Sequence, residues 1–310
     1  MKKVFIDGEA GTTGLRIRER LAARTDIELV TLPEALRKDA AARKTALNAA
    51  DIAFLCLPDA AAVEAVSMIE NPDTVVLDTS TAHRTDPRFV YGFPELAAEQ
   101  AAHIAASKRI AVPGCHASGF IATVAPLVQH GLLAPDAALT CHSVTGYSGG
   151  GKKMIAAYGE ADRSPLYDAP RQYGLSQTHK HLPEMAAMCG LQSPPIFCPI
   201  VADFYSGMVV TVPLFAHQLT PGATAADVKA VLKAAYGGSI VRYVVTADAD
   251  GFLSAAALSG KDAMEVAVFG SETRILLTAR YDNLGKGASG AAVECMNLVL
   301  GVDPATGLNL

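Results

Sequence analysis

One cysteine of the chain stands in a context suited to nucleophilic chemistry. Cys115 follows a short apolar segment, residues 109–112, and a Pro-Gly turn, and a helical periodicity of apolar residues runs from 117 to 129. The thiol is therefore predicted at a helix N-terminus, where free N–H groups and the helix dipole favour thiolate. Because a thiolate attacks carbonyl carbon, the pattern indicates covalent catalysis. A buried structural cysteine beside a turn is the alternative.

A polar cluster in the second half of the chain holds the candidates for proton transfer. The segment HKHLPEM contains His179, His181 and Glu184. Imidazole titrates near neutral pH and suits acid–base catalysis, and the carboxylate could orient one ring. We predict no metal site here, because no cysteine or third histidine lies nearby in the sequence. An ordinary surface loop is the alternative, and His116, beside the thiol, is interpreted as structural or exposed.

A glycine-rich turn near the start of the chain is typical of dinucleotide binding. Gly8, Gly11 and Gly14 follow a short apolar strand at 4–6 and open a helical pattern at 14–23. Glycines in such a strand–turn–helix let the backbone approach a pyrophosphate, which the helix N-terminus then binds. The spacing is G-x-x-G-x-x-G instead of the commoner G-x-G-x-x-G, so a purely local turn is the alternative.

The residues after the second predicted strand leave the choice of dinucleotide open. Glu34 lies about where an acid would bind the ribose 2′-hydroxyl of NAD. Arg37 and Lys38 follow closely and could instead bind a 2′-phosphate. All three could also be solvated surface charges.

Two further segments carry groups that bind anions. Residues 78–84 (DTSTAHR) follow a strand and end in Arg84, whose guanidinium suits phosphate or carboxylate. Residues 146–152 (GYSGGGK) form a Gly/Ser loop that ends in Lys152. Each segment alone could be an ordinary loop.

The order of predicted elements indicates two kinds of sheet. Strand-like segments at 4–6, 27–32, 51–57, 74–77 and 109–112 alternate with helical patterns, including 14–23 and 60–69. Such alternation predicts a parallel sheet with crossover helices. Beyond residue 115, longer strands at 138–144, 208–215, 240–245, 264–269 and 274–281 dominate, with helices at 225–236 and 288–300. The predicted fold is α/β: a Rossmann-type parallel-sheet domain plus an α+β domain with a mostly antiparallel sheet.

The composition excludes several classes of protein. Of 310 residues, 50% are hydrophobic and 18% are charged, which is typical of a globular protein and not of a disordered one. The net charge of -5 argues against nucleic-acid binding. There is no run of 18 apolar residues and no signal-peptide pattern, so no membrane association is predicted. The six dispersed cysteines suit a reducing cytoplasm better than a disulfide framework.

Seven segments taken together resemble a known family, the shorter type of N-acetyl-gamma-glutamyl-phosphate reductases of arginine biosynthesis. The matching segments are DGEAGTTGL, LDTSTAHR, YGFPEL, VPGCHASG, TGYSGGGKK, HKHLPEM and NLGKGASGAAVECMN, in this order from residue 7 to residue 297. The aspartate-semialdehyde dehydrogenases are wider relatives that share the two-domain plan and the cysteine.

The resemblance implies a role for each matching position. It implies that Cys115 is the nucleophile and that His181 is the acid/base, with His179 competing for that role. The implied ligands of the NADP phosphates are Gly8, Gly11, Thr12, Thr13 and Gly14. Ser80, Asn283 and Lys286 are implied near the cofactor, with the last two near the nicotinamide. The implied substrate-side residues are Arg84 (near the phosphate), Ser148, Lys152 and Glu184. In one respect the chain departs from longer members, which have Tyr where this chain has His116.

The resemblance also implies an organisation and a reaction. Residues 1–114 and 286–310 would bind NADP(H), and residues 115–285 would carry catalysis and assembly into a homodimer or homotetramer. The reaction would be NADPH-dependent reduction of an acyl phosphate to an aldehyde through a cysteine thioester. An aspartate-semialdehyde dehydrogenase is the alternative, although HKHLPEM matches the acetylglutamyl branch better. A non-catalytic NADPH-binding redox sensor is an alternative of another class.

Overall fold

The computed structural model describes residues 1–248 and 251–310, and these divide into two compact units. Unit 1 comprises Met1–Gly114 with Ala288–Leu308. Unit 2 comprises Cys115–Gly287 with Asn309–Leu310.

Unit 1 is built on a six-stranded sheet in which every pairing is parallel. Its strands are β1 (Lys2–Asp7), β2 (Ile27–Val30), β3 (Ile52–Leu55), β4 (Val75–Asp78), β5 (Val90–Tyr91) and β6 (Arg109–Ala111), in the order β2-β1-β3-β4-β6-β5. Its helices are α1 (Thr12–Leu21), α2 (Ala40–Ala49), α3 (Asp59–Ser67), α4 (Gln100–Ala106) and a last helix at Gly290–Leu300, called α9 below.

Helices cover both faces of this sheet, which explains the continuous apolar run of β3. Ile52 and Phe54 belong to a core cluster with residues of α1 and α9, whereas Ala53 and Leu55 belong to a second cluster with residues of α2. Strands buried on both faces lose the alternation of polar and apolar residues that half-exposed strands show. Because the strands are parallel and helices cover both faces, the carboxyl ends of β1 and β4 lie at the same end of the sheet, where the loops that follow them are partly accessible.

Unit 2 contains a seven-stranded sheet of mixed direction. Its strands are β7 (Thr140–Gly146), β8 (Arg171–Gln172), β9 (Ile196–Ala202), β10 (Met208–Phe215), β11 (Val241–Tyr243), β12 (Met264–Gly270) and β13 (Arg274–Tyr281), in the order β11-β12-β13-β10-β7-β9-β8. Four pairings are antiparallel, and β7–β9 and β11–β12 are parallel. Its helices are α5 (Cys115–Gln129), α6 (Gly151–Gly159), α7 (Leu182–Cys189) and α8 (Ala225–Ala235).

Helix α5 lies very close to the centre of this sheet. A Cβ at Gly119 would come within 2.7 Å of both the Tyr281 hydroxyl on β13 and a methyl group of Val210 on β10. Further along, Pro126 lies inside the helix and cannot donate to the carbonyl four residues earlier. The hydroxyl of Tyr236 donates to that carbonyl, Ala122 O, at 2.7 Å instead. A buried helix with an internal proline thus keeps its backbone polar groups bonded.

The predicted fold class is confirmed: a parallel α/β sheet plus a mostly antiparallel α+β sheet. Several elements were not predicted, among them α2, α4, α7 and β9. The last helix begins at Gly290 and not at 288, because residues Gly285–Ser289 form a π-helical turn before it. The strand predicted at 240–245 is shorter, at Val241–Tyr243.

We predict that Gly119→Ala destabilises the protein by about 1–3 kcal/mol, the usual effect of overpacking a dense core. Urea unfolding would measure the loss. Gly159→Ala is the matched control, because a Cβ at this helical position meets no atom within 4 Å. The control should be neutral or slightly stabilising, since alanine favours helix. Equal stability of the two variants would contradict the close contact at Gly119.

Candidate active site and dinucleotide cradle

The structure confirms that Cys115 is the first residue of a helix, as predicted. The thiol is partly buried, and Pro113 and Gly114 precede it as the turn into α5. The Tyr281 hydroxyl donates a hydrogen bond to the Cys115 carbonyl. The first turn of an α-helix has backbone N–H groups without intrahelical acceptors and lies at the positive end of the helix dipole, and both features favour thiolate.

Three histidines of unit 2 form one cluster of packed rings with Phe197. The His116 ring lies 5.7 Å from that of His179 and 5.6 Å from that of His181, and the last two are 4.8 Å apart between ring centroids. Phe197 closes the cluster at 5.2 Å from His116 and 5.1 Å from His179. One of these rings belongs to the residue next to the thiol in sequence, so the predicted His pair and the predicted nucleophile share one region of the unit.

His116 is held between two hydroxyl groups. Its Nδ1 lies 2.7 Å from Ser143 Oγ and its Nε2 lies 2.7 Å from Tyr173 Oη. Burial lowers the pKa of His116 to about 3, and neighbouring His179 adds to the effect. The ring is therefore neutral at physiological pH, with one nitrogen donating and the other accepting. Burial also raises the pKa of Tyr173 well above its ordinary value, and Cys115 adds to this.

His179 and His181 differ in their hydrogen bonding and exposure. The backbone N–H of His181 donates to His179 Nδ1 at 3.2 Å, so the proton of a neutral His179 lies on Nε2. Burial lowers the pKa of His179, and the charge of Lys180 acts in the same direction. His181 is only 5% exposed and stands immediately before α7. The bond from the His181 N–H therefore occupies the nitrogen with which a neutral His179 would accept a proton.

The sequence predicts a structural or exposed His116, and the buried, hydrogen-bonded ring agrees with the structural role. The sequence gives no prediction for Tyr173. His116 is buried in the cluster, and Tyr173 is 57 residues away from it in sequence. The position of His116 next to Cys115 was the available signal for the first residue; the sequence around Tyr173 carries none.

The structure joins two residues that the resemblance assigned to different ligands. The Asn283 side-chain NH₂ donates to Ser148 Oγ at 2.9 Å, and its oxygen accepts the Gly207 N–H at 2.9 Å. Both side chains are buried. Ser148 thus orients the Asn283 side chain, and this contact does not depend on which ligand either residue binds.

The other predicted residues of unit 2 lie in distinct surroundings. Lys152 is exposed in the first turn of α6, where it can meet an anion from solvent. Glu184 is buried in the first turn of α7, and Lys286 is fully buried in the π-helical turn.

In unit 1 the glycine turn has the shape that the sequence predicts. Gly8 has φ of +86°, and a Cβ there would lie 2.3 Å from the Cys56 carbonyl oxygen. The Gly11 N–H donates to Gly8 O at 2.9 Å, and a Cβ at Gly14 would lie 2.5 Å from that same oxygen. Gly11 precedes α1 and offers no side chain to cap the helix, so Thr12 and Thr13 start it with N–H groups directed outward.

A cavity of about 610 Å³ adjoins this turn. Its wall includes both acids and bases: Asp7, Glu9, Glu34, Arg37, Lys38 and Arg43. Arg43 Nη2 lies 3.0 Å from Asp7 Oδ2, and Arg37 Nη2 lies 2.7 Å from Glu9 Oε1. Burial raises the pKa of Asp7, and the hydrogen bond from Arg43 opposes the rise.

These features fit a dinucleotide. A Cβ at Gly8 or Gly14 would meet neighbouring backbone, so these glycines allow the tight turn and the close packing of α1 that dinucleotide-binding turns have. The helix N-terminus supplies donors for the phosphates. The cavity lined by Glu34, Arg37 and Lys38 is large enough for the adenosine end.

Ser80 and Arg84 hold the loop after β4 together. Ser80 Oγ donates to Asp78 Oδ2 at 2.7 Å, and His83 Nδ1 lies 2.6 Å from the same carboxylate oxygen. The Arg84 guanidinium donates to Val112 O at 2.9 Å and to Thr79 O at 3.0 Å. Both residues therefore have a role in loop structure, and their binding roles stay predictions.

Several solved structures with the same architecture are aspartate semialdehyde dehydrogenases. Aspartate semialdehyde dehydrogenase II of Vibrio cholerae matches with a TM-score of 0.72 and 16% identity over 97% of this chain and 98% of that one. The enzyme of Francisella tularensis matches with a TM-score of 0.71 and 14% identity over 97% and 100%. Family models for the semialdehyde dehydrogenase NAD binding domain and dimerisation domain match residues 33–104 and 115–283. The fold is that of these structures, and the chain belongs to the semialdehyde dehydrogenase class.

Sequence relatives narrow this class. N-acetyl-gamma-glutamyl-phosphate reductase of Sinorhizobium fredii is 46% identical over 303 residues, covering 96% of this chain and 98% of the relative. The reductases of Rhizobium etli and Burkholderia cenocepacia are 48% and 47% identical over 96% and 97% of this chain and 98% of each relative. The chain belongs to the N-acetyl-gamma-glutamyl-phosphate reductase family. Within the residues that the structure describes, no helix has the length and apolarity needed to cross a membrane.

We predict that His116 makes stability depend on pH. Its pKa falls from 6.5 to about 3 on folding, so between these values the unfolded chain binds a proton that the folded chain does not. Stability should therefore fall as the pH drops below about 6.5. In urea unfolding from pH 7 to pH 5, His116→Asn should reduce the slope of the unfolding free energy against pH by the amount that corresponds to about one proton. The exposed His103→Asn is the control and should leave it unchanged; an unaltered slope in the His116 variant would contradict a neutral buried ring.

Proposed function

We propose that this chain catalyses the NADPH-dependent reduction of N-acetyl-gamma-glutamyl phosphate to N-acetylglutamate 5-semialdehyde and phosphate, a step of arginine biosynthesis. The observation that carries the proposal is identity of 46–48% to reductases of this name over nearly the whole chain. The helix-terminal Cys115 and the histidine cluster of unit 2 supply groups for the chemistry.

Cys115 begins the reaction as the nucleophile. The thiol loses its proton to a histidine, and the thiolate forms a C–S bond to the acyl carbon of the substrate. The C–O bond to phosphate then breaks, and the phosphate leaves with the electron pair and takes the proton. N–H groups at the start of α5 stabilise the oxyanion that forms on the way. The product of this half is an acyl thioester on Cys115.

The second half reduces the thioester and frees the enzyme. A bound nicotinamide dinucleotide, which the Gly8–Gly14 turn of unit 1 would hold, supplies the hydride. The resulting thiohemiacetal oxyanion on Cys115 collapses, so the C–S bond breaks and the aldehyde leaves. The thiolate takes up a proton from solvent through the histidine. The balance consumes one NADPH and one proton and yields NADP⁺ and phosphate.

His181 is assigned the acid/base role in preference to His179. The Nδ1 lone pair of His179 is occupied by the His181 N–H, so the remaining nitrogen carries the proton and cannot accept another. This asymmetry supports His181 as the base for the Cys115 thiol.

The remaining assignments follow the family resemblance. Arg37 and Lys38 on the cavity wall support NADPH, because they can meet a 2′-phosphate. Cofactor contacts are assigned to Gly8, Gly11, Thr12, Thr13, Gly14, Ser80, Asn283 and Lys286. Substrate contacts are assigned to Arg84, Ser148, Lys152 and Glu184.

We further propose that the protein assembles as a homodimer or homotetramer through the sheet of unit 2. Alternate residues of β10 are buried, and the others, with Leu276 opposite Pro213, form a partly exposed face. Ile196 and Phe215 add exposed apolar surface on the strands of this sheet. The match of residues 115–283 to a dimerisation domain supports this face as the contact between subunits.

The reaction is tested by phosphate-dependent reduction of NADP⁺, followed by NADPH absorbance, with N-acetylglutamate 5-semialdehyde. We expect turnover that is far faster than with aspartate semialdehyde, and Cys115→Ser should abolish it while dinucleotide binding persists. Cys198→Ser, at another partly exposed cysteine, is the control and should stay active. Faster turnover of aspartate semialdehyde would favour the alternative substrate, and binding without turnover would favour a sensor.

The assignment of the base predicts a ranking of two variants. His181→Asn should lower kcat by about 10²–10⁴-fold, the usual contribution of a general acid–base group. His179→Asn should lower it by much less, because that ring is not free to accept the proton. Steady-state kinetics on both variants measures the ranking, and the reverse order would move the role to His179.

A further inference from the structure

A tyrosine hydroxyl is inserted into the first turn of α5. In a regular α-helix the carbonyl of Cys115 would accept the N–H of Gly119. Here the Tyr281 hydroxyl donates to that carbonyl and accepts that N–H, the latter at 2.9 Å. The ring is 0% exposed and belongs to the last residue of β13. The phenol thus bridges the Cys115 carbonyl and the Gly119 N–H, the two backbone groups at the ends of the turn that carries the thiol.

Two glycines make room for this arrangement. A Cβ at Gly119 would lie 2.7 Å from the Tyr281 hydroxyl, which would displace the bridge. A Cβ at Gly287, in the turn that follows β13, would lie 3.0 Å from Cys115 Cβ. Cys115 is therefore held from two sides by β13 and the segment after it.

We propose that Tyr281 is a positioning residue for the Cys115 nucleophile, setting the orientation of the first turn of α5 through its bridge. The inference rests on the proposed role of Cys115. Helix-terminal N–H groups stabilise a thiolate only within the first turn and only when they are aligned with it. A terminal turn frays easily, and the phenol ties this one to β13, the neighbour of the central strand β10 in the seven-stranded sheet.

The phenol stays protonated while Cys115 ionises. Burial raises the pKa of Tyr281 well above its ordinary value, and charge on Cys115, Cys141 or Glu184 raises it further, while the Gly119 N–H opposes the rise. A neutral hydroxyl keeps its proton for the Cys115 carbonyl at every pH at which the thiol works.

Tyr281→Phe tests the proposal through the reactivity of the thiol itself. The rate of Cys115 alkylation by iodoacetamide is measured against pH on the full chain, with the modified peptide quantified by mass spectrometry. We expect the apparent pKa of the thiol to rise by about one unit. We also expect kcat to fall by roughly tenfold or more with an unchanged Kd for NADP(H).

Tyr236→Phe is the matched control. Its hydroxyl also donates to a carbonyl of α5, that of Ala122, at 2.7 Å, but two turns away from the thiol. The control removes the same kind of bond and should leave the alkylation profile unchanged. An unshifted profile in Tyr281→Phe, or equal shifts in both variants, would overturn the proposal.

Two further replacements keep the test decisive if Tyr281→Phe folds poorly. 4-Fluorophenylalanine at position 281 fills the volume of the hydroxyl but cannot donate, and it should reproduce the raised thiol pKa. 4-Aminophenylalanine retains a donor and should restore the original profile. If only the donor-bearing form folds, Tyr281 is structural and the proposal is wrong. Alkylation needs neither substrate nor cofactor, so this result is independent of whether the reductase assay succeeds.

Discussion

The contact between α5 and the centre of the seven-stranded sheet is the constraint on which unit 2 depends. It is possible only with glycine at position 119, where Tyr281 and Val210 occupy the space of a Cβ. Because the helix is buried along most of its length, its polar backbone must be satisfied from within the protein. Two tyrosines do this, Tyr281 at the first turn and Tyr236 at the carbonyl that Pro126 leaves unpaired. The position of Cys115 is thus a result of sheet packing and not only of local sequence.

The packing around α5 also determines where the histidine cluster lies and how buried its rings are. α7 packs on α5 and begins directly after His181, so its placement carries the histidine segment towards the helix that bears the thiol. The centroids of the three imidazole rings lie within 6 Å of one another, which disfavours positive charge on all three, and burial keeps His116 neutral. A neutral His116 serves as a hydrogen-bonding link between Ser143 and Tyr173.

The parts of the fold that could be predicted are those encoded locally. Periodicity showed most strands of both sheets, and the glycine turn and the Pro-Gly-Cys turn each lie within about ten residues of sequence. β9 escaped prediction because its segment IFCPIVA contains a proline and no polar alternation, and β7–β9 pair in parallel through a long connection. The bonds from His116 to Tyr173 and from Ser148 to Asn283 join residues 57 and 135 positions apart. No local pattern reports such contacts, because only the folded sheet brings these side chains together.

The two units also differ in the environments that they provide, unit 1 for dinucleotide binding and unit 2 for the proposed thiol chemistry. Binding a dinucleotide requires hydrogen-bond donors to the phosphates, and unit 1 supplies a glycine turn beside a charged cavity, in which Asp7 pairs with Arg43 and Glu9 with Arg37. The proposed thiol chemistry requires groups that favour thiolate, such as those at a helix N-terminus, and a neutral ring that can take up the proton. Unit 2 places Cys115 at the start of α5, while burial keeps His116 neutral and the phenols of Tyr173 and Tyr281 protonated. Placing the two environments on separate sheets lets each have the polarity that its own chemistry demands.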